Sequence, residues 1–435
     1  MSKLPADRSE SVFSDFKPAY SSNQARVEAN RCLYCHDAPC ITACPTGIDI
    51  PTFIRKIATD NVQGSARTIF DSNILGMSCA RVCPVEVLCV GDCVYNHMGV
   101  PPIQIGKLQR YATDAAFAEG WEFYSAGEDS GKSVGIVGGG PAALACAHRL
   151  RRDGHAVTIY DKRERLGGLN ATGVAPYKMP ADRAMEEVAQ VLSIGGIDVQ
   201  TGVEIGADVS FAELEDRHDA LFLAFGLGPD SRLAAKGADL AGVEGAVDFI
   251  ERFKTGTEDL SGVTHAIVVG GGNTALDVVR ELRVLGVPHV TMAYRGTEAR
   301  MSGYAHEWAS AKVEGVVAAW QTQPIGFEGS DGKVTGVRCL RLDENKQPID
   351  GSEHVLSADR VYLAIGQSKL GELVSTLEGV ENEWGCVKVG EGQATGRPGV
   401  YAGGDCANGG TEVVNAVAEG RDAAIAIHAY LSTQA

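Results

Sequence analysis

Four thiols crowd into the run RCLYCHDAPCITACPTG, where Cys32, Cys35, Cys40 and Cys44 follow the spacing C-x2-C-x4-C-x3-C-P. A second block, Cys79, Cys83, Cys89 and Cys93, reads C-x3-C-P-x4-C-x3-C. The remaining cysteines, Cys146, Cys339, Cys386 and Cys406, stand alone. Dense thiols either pair as disulfides or bind metal, and the reducing compartment favours metal. The N-terminal stretch MSKLPADRSESVFSDF is polar and lacks the apolar core of a secretory signal. The expected compartment is therefore cytoplasmic.

Structural zinc usually takes two separated C-x-x-C pairs, or cysteine pairs with histidine pairs. Here the thiols are packed more tightly, and a proline follows both Cys44 and Cys83. That spacing resembles the bacterial ferredoxin run, whose fourth cysteine ligates the other of two iron–sulfur clusters. Eight cysteines suit two [4Fe–4S] clusters, with structural zinc as the alternative.

A different chemistry is written in glycine. VGIVGGGPAALACAHRLRRDGHAVTIYDK reads as strand, turn, helix and second strand ending in Asp161. Gly138, Gly140 and Ala143 occupy the G-x-G-x-x-A positions. The first makes the tight turn, the second lets a pyrophosphate approach the backbone, and the third packs helix on strand. The pyrophosphate then meets the free N–H groups of the helix N-terminus, and Asp161 is placed for ribose hydroxyls. The pattern returns in HAIVVGGGNTALDVVRELRVLGVPHVTMAYRG, with Gly270, Gly271, Gly272, Asn273, Thr274 and Ala275 in the turn. Its second strand ends in Tyr294-Arg295 instead of an acid. Two such units imply two different dinucleotides. The arginine-ended one faces either a 2′-phosphate or only a pyrophosphate.

These groups need scaffolds. At 435 residues the chain has room for two or three domains. Its composition is ordinary, 44% hydrophobic and 22% charged, and no run of about eighteen apolar residues suggests a membrane span. The net charge of −17 opposes nucleic-acid binding. Around the cysteines, Phe53, Ile54, Ile57, Val62, Ala66, Ile69 and Phe70 recur at helical spacing. The polar, glycine- and serine-rich stretch 119–133 then marks a boundary. Late in the chain, RVYLAIGQ and GVYAGGDCANGGTEVVNAVAEGRDAAIAIHAYL read as further strands, the latter followed by Gly404-Asp405 and a long helix.

Taken together, GIVGGGPAALA, YDKRERLGGL, YKMP, VVGGGNTALD, AIGQ and GVYAGGDC resemble the glutamate-synthase small-subunit family of flavoproteins, which includes the N-terminal half of dihydropyrimidine dehydrogenase. The resemblance spans essentially the whole chain. It implies a helical two-cluster domain over residues 1–125 and an α/β FAD domain over 126–240 and 362–435. A nicotinamide domain over 241–361 is inserted into the latter. FAD is expected to meet Gly138, Gly139, Gly140, Pro141, Ala142, Ala143, Asp161, Lys162, Gly168, Leu169, Gly404, Asp405, Thr411, Glu412 and Val413. Lys178 either touches the flavin or is solvated. NADH or NADPH is expected at Gly270 to Thr274, Arg295, Arg300 and Ala364, Ile365 and Gly366. Gly296 follows Arg295 where NADPH-using relatives carry a second base, which favours NADH.

The same resemblance assigns one cluster to Cys32, Cys35, Cys40 and Cys93. It assigns the other to Cys44, Cys83, Cys89 and Gln109, leaving Cys79 as a bystander. The only C-x-x-C lies in the cluster run, so disulfide reduction is not expected. There is no room for a substrate-reducing barrel of about 250 residues. Electrons should therefore leave to a partner, expected to be an FMN-containing subunit that reduces uracil or thymine. One alternative is the glutamate synthase small subunit, which all-cysteine ligation would favour. The other is an iron–sulfur carrier or scaffold without nicotinamide turnover.

Overall fold

The computed structural model describes residues 4–434. The cysteine blocks hang on short helices whose ends are written locally. Asp49 caps Ile50–Ala58 by accepting from Thr52 N–H, and Asn61 caps Val62–Ser72 through Gly64 N–H. Between them Asp60 adopts a positive φ of 65°, so the apolar pattern runs over two helices rather than one. Their inner faces, Phe53, Ile54, Ile57, Ile69 and Phe70, pack with Leu108 from Ile105–Glu119. That core continues without a break into Ala142, Leu144 and Ile427 of the next unit. Arg421 strengthens the junction by donating to the carbonyls of Thr46 (2.6 Å) and Ser72 (3.0 Å).

β1 (Ser133–Val137), β2 (Ala156–Asp161), β3 (Ile197–Thr201) and β4 (Ala220–Leu223) start a parallel sheet. The chain then leaves to build a second parallel sheet. It contains β5 (Val243–Gly245), β6 (His265–Val269), β7 (His289–Ala293) and β8 (Val317–Ala319). An antiparallel three-stranded sheet follows, from β9 (Thr322–Ser330), β10 (Lys333–Arg341) and β11 (His354–Ser357). β12 (Arg360–Leu363) returns to the second sheet between β5 and β6. After a small hairpin, β13 (Asn382–Glu383) and β14 (Cys386–Val387), β15 (Val400–Ala402) pairs with β4 in the first sheet. The orders are β15-β4-β1-β2-β3 and β5-β12-β6-β7-β8, so strand order reverses beside β1 and beside β6. Those reversals open crevices at the carboxyl ends of the strands, where ligands of doubly wound sheets bind.

One expected boundary is corrected. A division between residues 361 and 362 cuts β12, whose register with β6 runs through Leu363↔Val269, so the second unit extends at least to Leu363. The amino end of the expected cluster domain also reaches the two nucleotide-type units. Ser9 N–H bonds Gly256 O, the Phe13 ring stacks on Phe253, and Phe16 N–H bonds Tyr177 O. Arg8 pairs with Asp182 at 2.6 Å. This arm lies across both nucleotide-type units because its apolar rings find their partners there.

Candidate functional site

The thiols form two groups. Cys32, Cys35, Cys40 and Cys93 line one small cavity walled by Ile54, Ile103 and Ile105. Burial and the three neighbouring thiols push Cys40 up to about 12. Cys83 neighbours Cys79, Cys89 and Cys44, and its thiol is also pushed well up by its hydrogen bond with Cys79 and by burial. Buried thiols this close resist ionising unless a cation supplies the balancing charge, which iron would. Among the described residues no three His, Cys, Asp or Glu side chains are disposed to grip a single ion.

Cys79, expected as a bystander, is buried beside the second group. It lies one helical turn before Cys83, with Cys83 N–H bonded to Cys79 O, so both thiols share a face and hydrogen-bond. Gln109 is buried on the neighbouring helix and donates from Nε2 to Gly76 O at 2.8 Å. That commitment leaves Oε1 as its only atom able to ligate a metal.

The second thiol group opens onto a cavity of about 1130 Å³, into which Cys83 and Pro84 project. Cys79 and Cys83 also pack on Val413 and Val414, at the start of the helix Val413–Ser432. Along the same cavity run Gly138, Gly139, Gly140, Pro141 and Ala142. Gly138 has φ +105°, and a Cβ there would lie 2.2 Å from Ala224 O. Gly140 precedes Pro141–Arg152, a helix whose first N–H groups have no side-chain cap. Ala143 is fully buried beneath the turn, as a packing residue must be. The Asp161 carboxylate accepts from Arg163 N–H at 2.7 Å, and burial raises it despite that bond and one from Gly139 N–H. Gly168, Leu169, Gly404, Asp405, Thr411, Glu412 and Val413 complete this wall. Lys162 lines it too, with its ammonium 3.8 Å from Glu204. An uncapped helix start, a glycine turn no side chain can enter and an acid at the second strand end suit an adenine dinucleotide such as FAD.

Lys178 is neither solvated nor free. Its ammonium is held by Asp277 at 2.8 Å and Glu307 at 2.7 Å, both from the second unit, and these carboxylates raise its pKa despite burial. Tyr177 donates to the same Asp277 oxygen at 2.5 Å. No local pattern in the sequence marks Asp277, Glu307 or Tyr304, yet all three line the cavity. Tyr304 donates to Glu412 at 2.7 Å across the two units.

Of the expected nicotinamide residues, Asn273 and Thr274 reach this cavity. Gly270, Gly271, Gly272, Arg295, Arg300, Ala364, Ile365 and Gly366 lie outside its lining, around the carboxyl ends of β6, β7 and β12. Gly270 repeats the Gly138 arrangement, with φ +143° and a would-be Cβ 2.2 Å from Ala364 O. The Tyr294 ring occupies the place of the usual acid. A Cβ at Gly271 or Gly296 would come within 2.5 or 2.6 Å of that ring. Arg295 and Arg300 are exposed, and Arg300 donates to Glu344 O at 3.1 Å.

Residues 8–121 match a family described as dihydropyrimidine dehydrogenase domain II, 4Fe-4S cluster. Residues 132–420 match the pyridine nucleotide-disulphide oxidoreductases. An NAD-dependent dihydropyrimidine dehydrogenase subunit PreT from Escherichia coli K12 is 36% identical, over 96% of this chain and 97% of its own. A glutamate synthase [NADPH] small chain from Azospirillum brasilense is 32% identical, over 100% and 94%. Among solved structures, T. acidophilum thioredoxin reductase has a TM-score of 0.56 at 21% identity, covering 70% of this chain and 100% of that one. Mycobacterium tuberculosis FprA in complex with NADPH scores 0.57 at 21%, covering 69% and 85%. These two share the fold. Among the described residues no helix is long and apolar enough to cross a membrane.

Proposed function

The chain belongs to the family of electron-transfer small subunits that joins glutamate synthase small chains with dihydropyrimidine dehydrogenase subunits, and from that premise we propose its wiring and its client. It is an NAD(P)H-dependent oxidoreductase with an iron–sulfur domain. In the proposed arrangement FAD lies along Gly138–Ala142, Asp161 and Asp405, and the nicotinamide cofactor enters from the Asn273–Thr274 side. Flavin exchanges a two-electron hydride for single electrons, which iron–sulfur clusters carry. The single observation that carries this reading is that Cys83–Pro84, Gly138–Ala142 and Asn273–Thr274 all line one cavity. Three binding units therefore meet without an intervening wall.

The protein's own residues hold this junction together. Lys178, Asp277 and Glu307 pin one nucleotide unit to the other, and Tyr304 with Glu412 does so a second time. We assign the inner cluster to Cys44, Cys83, Cys89 and Gln109, with Cys79 hydrogen-bonding the Cys83 sulfur. The outer cluster falls to Cys32, Cys35, Cys40 and Cys93, whose half-exposed thiols Cys32, Cys35 and Cys40 face the exit.

The client we favour is an FMN-containing subunit that reduces the 5,6 bond of uracil or thymine. NADH is the favoured donor, because a base at position 296 would have to displace the Tyr294 ring. Anaerobic native purification tests the assignment. An FMN-bearing partner that oxidises NADH with uracil or thymine supports it. A large partner forming glutamate from glutamine and 2-oxoglutarate would replace it with the synthase reading, which Cys79 among the inner thiols favours. Steady-state kinetics check the donor, with kcat/KM expected to be higher for NADH than for NADPH.

A further inference from the structure

The two segments that carry the outer thiols, 31–40 and 92–101, are bound to each other. Tyr95 donates to Arg31 O at 2.6 Å, and the Arg31 side chain donates onward to Pro101 O. Leu33, Val94 and Tyr95 wall the same small cavity as Cys32, Cys35, Cys40 and Cys93. From this joined surface Leu33 (53% exposed), Met98 (61%) and Val100 (39%) reach into solvent. Val100 N–H bonds Tyr95 O at 3.1 Å and closes the loop that carries Met98. Charge is scarce here. The Arg31 guanidinium is held by Glu28 at 2.8 Å and lies over the Tyr95 ring. Arg55 is likewise turned onto the Tyr34 ring. That leaves Asp37 and Asp92 as the exposed carboxylates of the two segments, in a chain of net charge −17.

Exposed apolar side chains grouped on a charge-poor surface mark a place that another protein covers. What covers it follows from the thiols beneath. One-electron transfer falls off steeply with distance, so an acceptor drawing electrons through the outer thiol group must lie against this rim. A carrier steered to its site by charge needs complementary charges around the contact, and this rim offers few. We propose that Leu33, Met98 and Val100 are the contact surface for the electron-accepting subunit, which docks there by burying apolar area and not by pairing charges. This rests on the reading that Cys32, Cys35, Cys40 and Cys93 hold the exit cluster.

The test uses the complex purified natively with its flavin-bearing partner, followed by mass photometry over a dilution series. Its affinity should hold between about 0.1 and about 1 M NaCl, where the screening length shrinks from about 10 Å to about 3 Å. Leu33→Glu and Met98→Glu should each weaken it by about ten- to a hundred-fold, the effect of forcing an unpaired polar group into a dry contact. Iron content, FAD content and bleaching of the flavin by NADH should stay native in both. Met98→Glu, outside the cysteine run, provides the test if Leu33→Glu loses iron. Val313→Glu, at a site 88% exposed on the second nucleotide-type unit, should leave the affinity unchanged. Native affinity in both rim variants overturns the proposal and leaves the electron route standing, and so does a complex that salt alone dissociates. Rim variants that abolish only self-association of this chain make the occupant a second copy and overturn it too. If Cys35→Ala still passes electrons at the native rate, the exit-cluster reading fails and the proposal with it.

Discussion

At the scale of single residues, the proposed ligand set makes Gln109 a ligand of the inner group and Cys79 its neighbour. Hydrogen bonds to cluster sulfurs favour the reduced, more negative state and raise the potential. Cys79→Ala should therefore keep the inner cluster and lower its midpoint potential, as read by potentiometric electron paramagnetic resonance. Gln109→Ala should instead lower the iron content and remove the inner-cluster signal. If Cys79→Ala is the variant that loses iron, the fourth corner belongs to cysteine.

Among elements, close approach and buried charge do the joining. A Cβ at Gly420 would sit 2.1 Å from Ala142 O, so only glycine lets Val413–Ser432 press onto Pro141–Arg152. Gly420→Ala should cost about 1–3 kcal/mol through overpacking and reduce bound flavin, measured as flavin per chain after gel filtration. Glu187 ties Ala181–Leu192 to Gly76–Val82 by accepting from Met77 N–H (3.0 Å) and Ser78 N–H (3.1 Å), and burial raises it to about 7. The folded state thus holds this proton more tightly than the unfolded chain does. Its contribution is complete below the unfolded value and disappears as pH rises through about 7, a shift worth on the order of 3 kcal/mol. Melting temperatures of Glu187→Gln and the native protein, compared from about pH 5 to about pH 8, should show the variant gaining relative stability as pH rises.

What could be read ahead of the structure follows from how far apart the partners lie. The turns at Gly138–Ala143 and Gly270–Ala275, the acid at Asp161 and the cysteine spacings are local, so each declares itself within one strand–turn–helix or one loop. The Glu187–Ser78 bond joins residues 109 apart and Tyr177–Asp277 residues 100 apart. No window of sequence contains both ends of either. Glu307 sits in AHEWASAKV, which reads as an ordinary helix. The Lys178 ambiguity was real for the same reason: its two carboxylates come from elsewhere in the chain.

Over the whole molecule, electrons should enter and leave by separate doors. Cys35→Ala should remove the outer cluster while FAD stays bound and NADH still reduces it. Transfer to the partner should then fail, and an unchanged transfer rate would falsify the proposed route. Optical bleaching of the flavin and partner-coupled turnover separate the two steps.

The amino-terminal arm gives this layout a mechanical character. It grips Phe253 and Gly256 on one nucleotide unit and Tyr177 and Asp182 on the other, while Asp15 binds Arg110 beside the thiols. A swing of one unit against the other would have to peel the arm away and break the Lys178 bridges as well. The molecule is therefore built as soldered circuitry rather than a relay with a moving contact. Its internal throughput should be indifferent to solvent viscosity, with friction felt only where the partner arrives and departs.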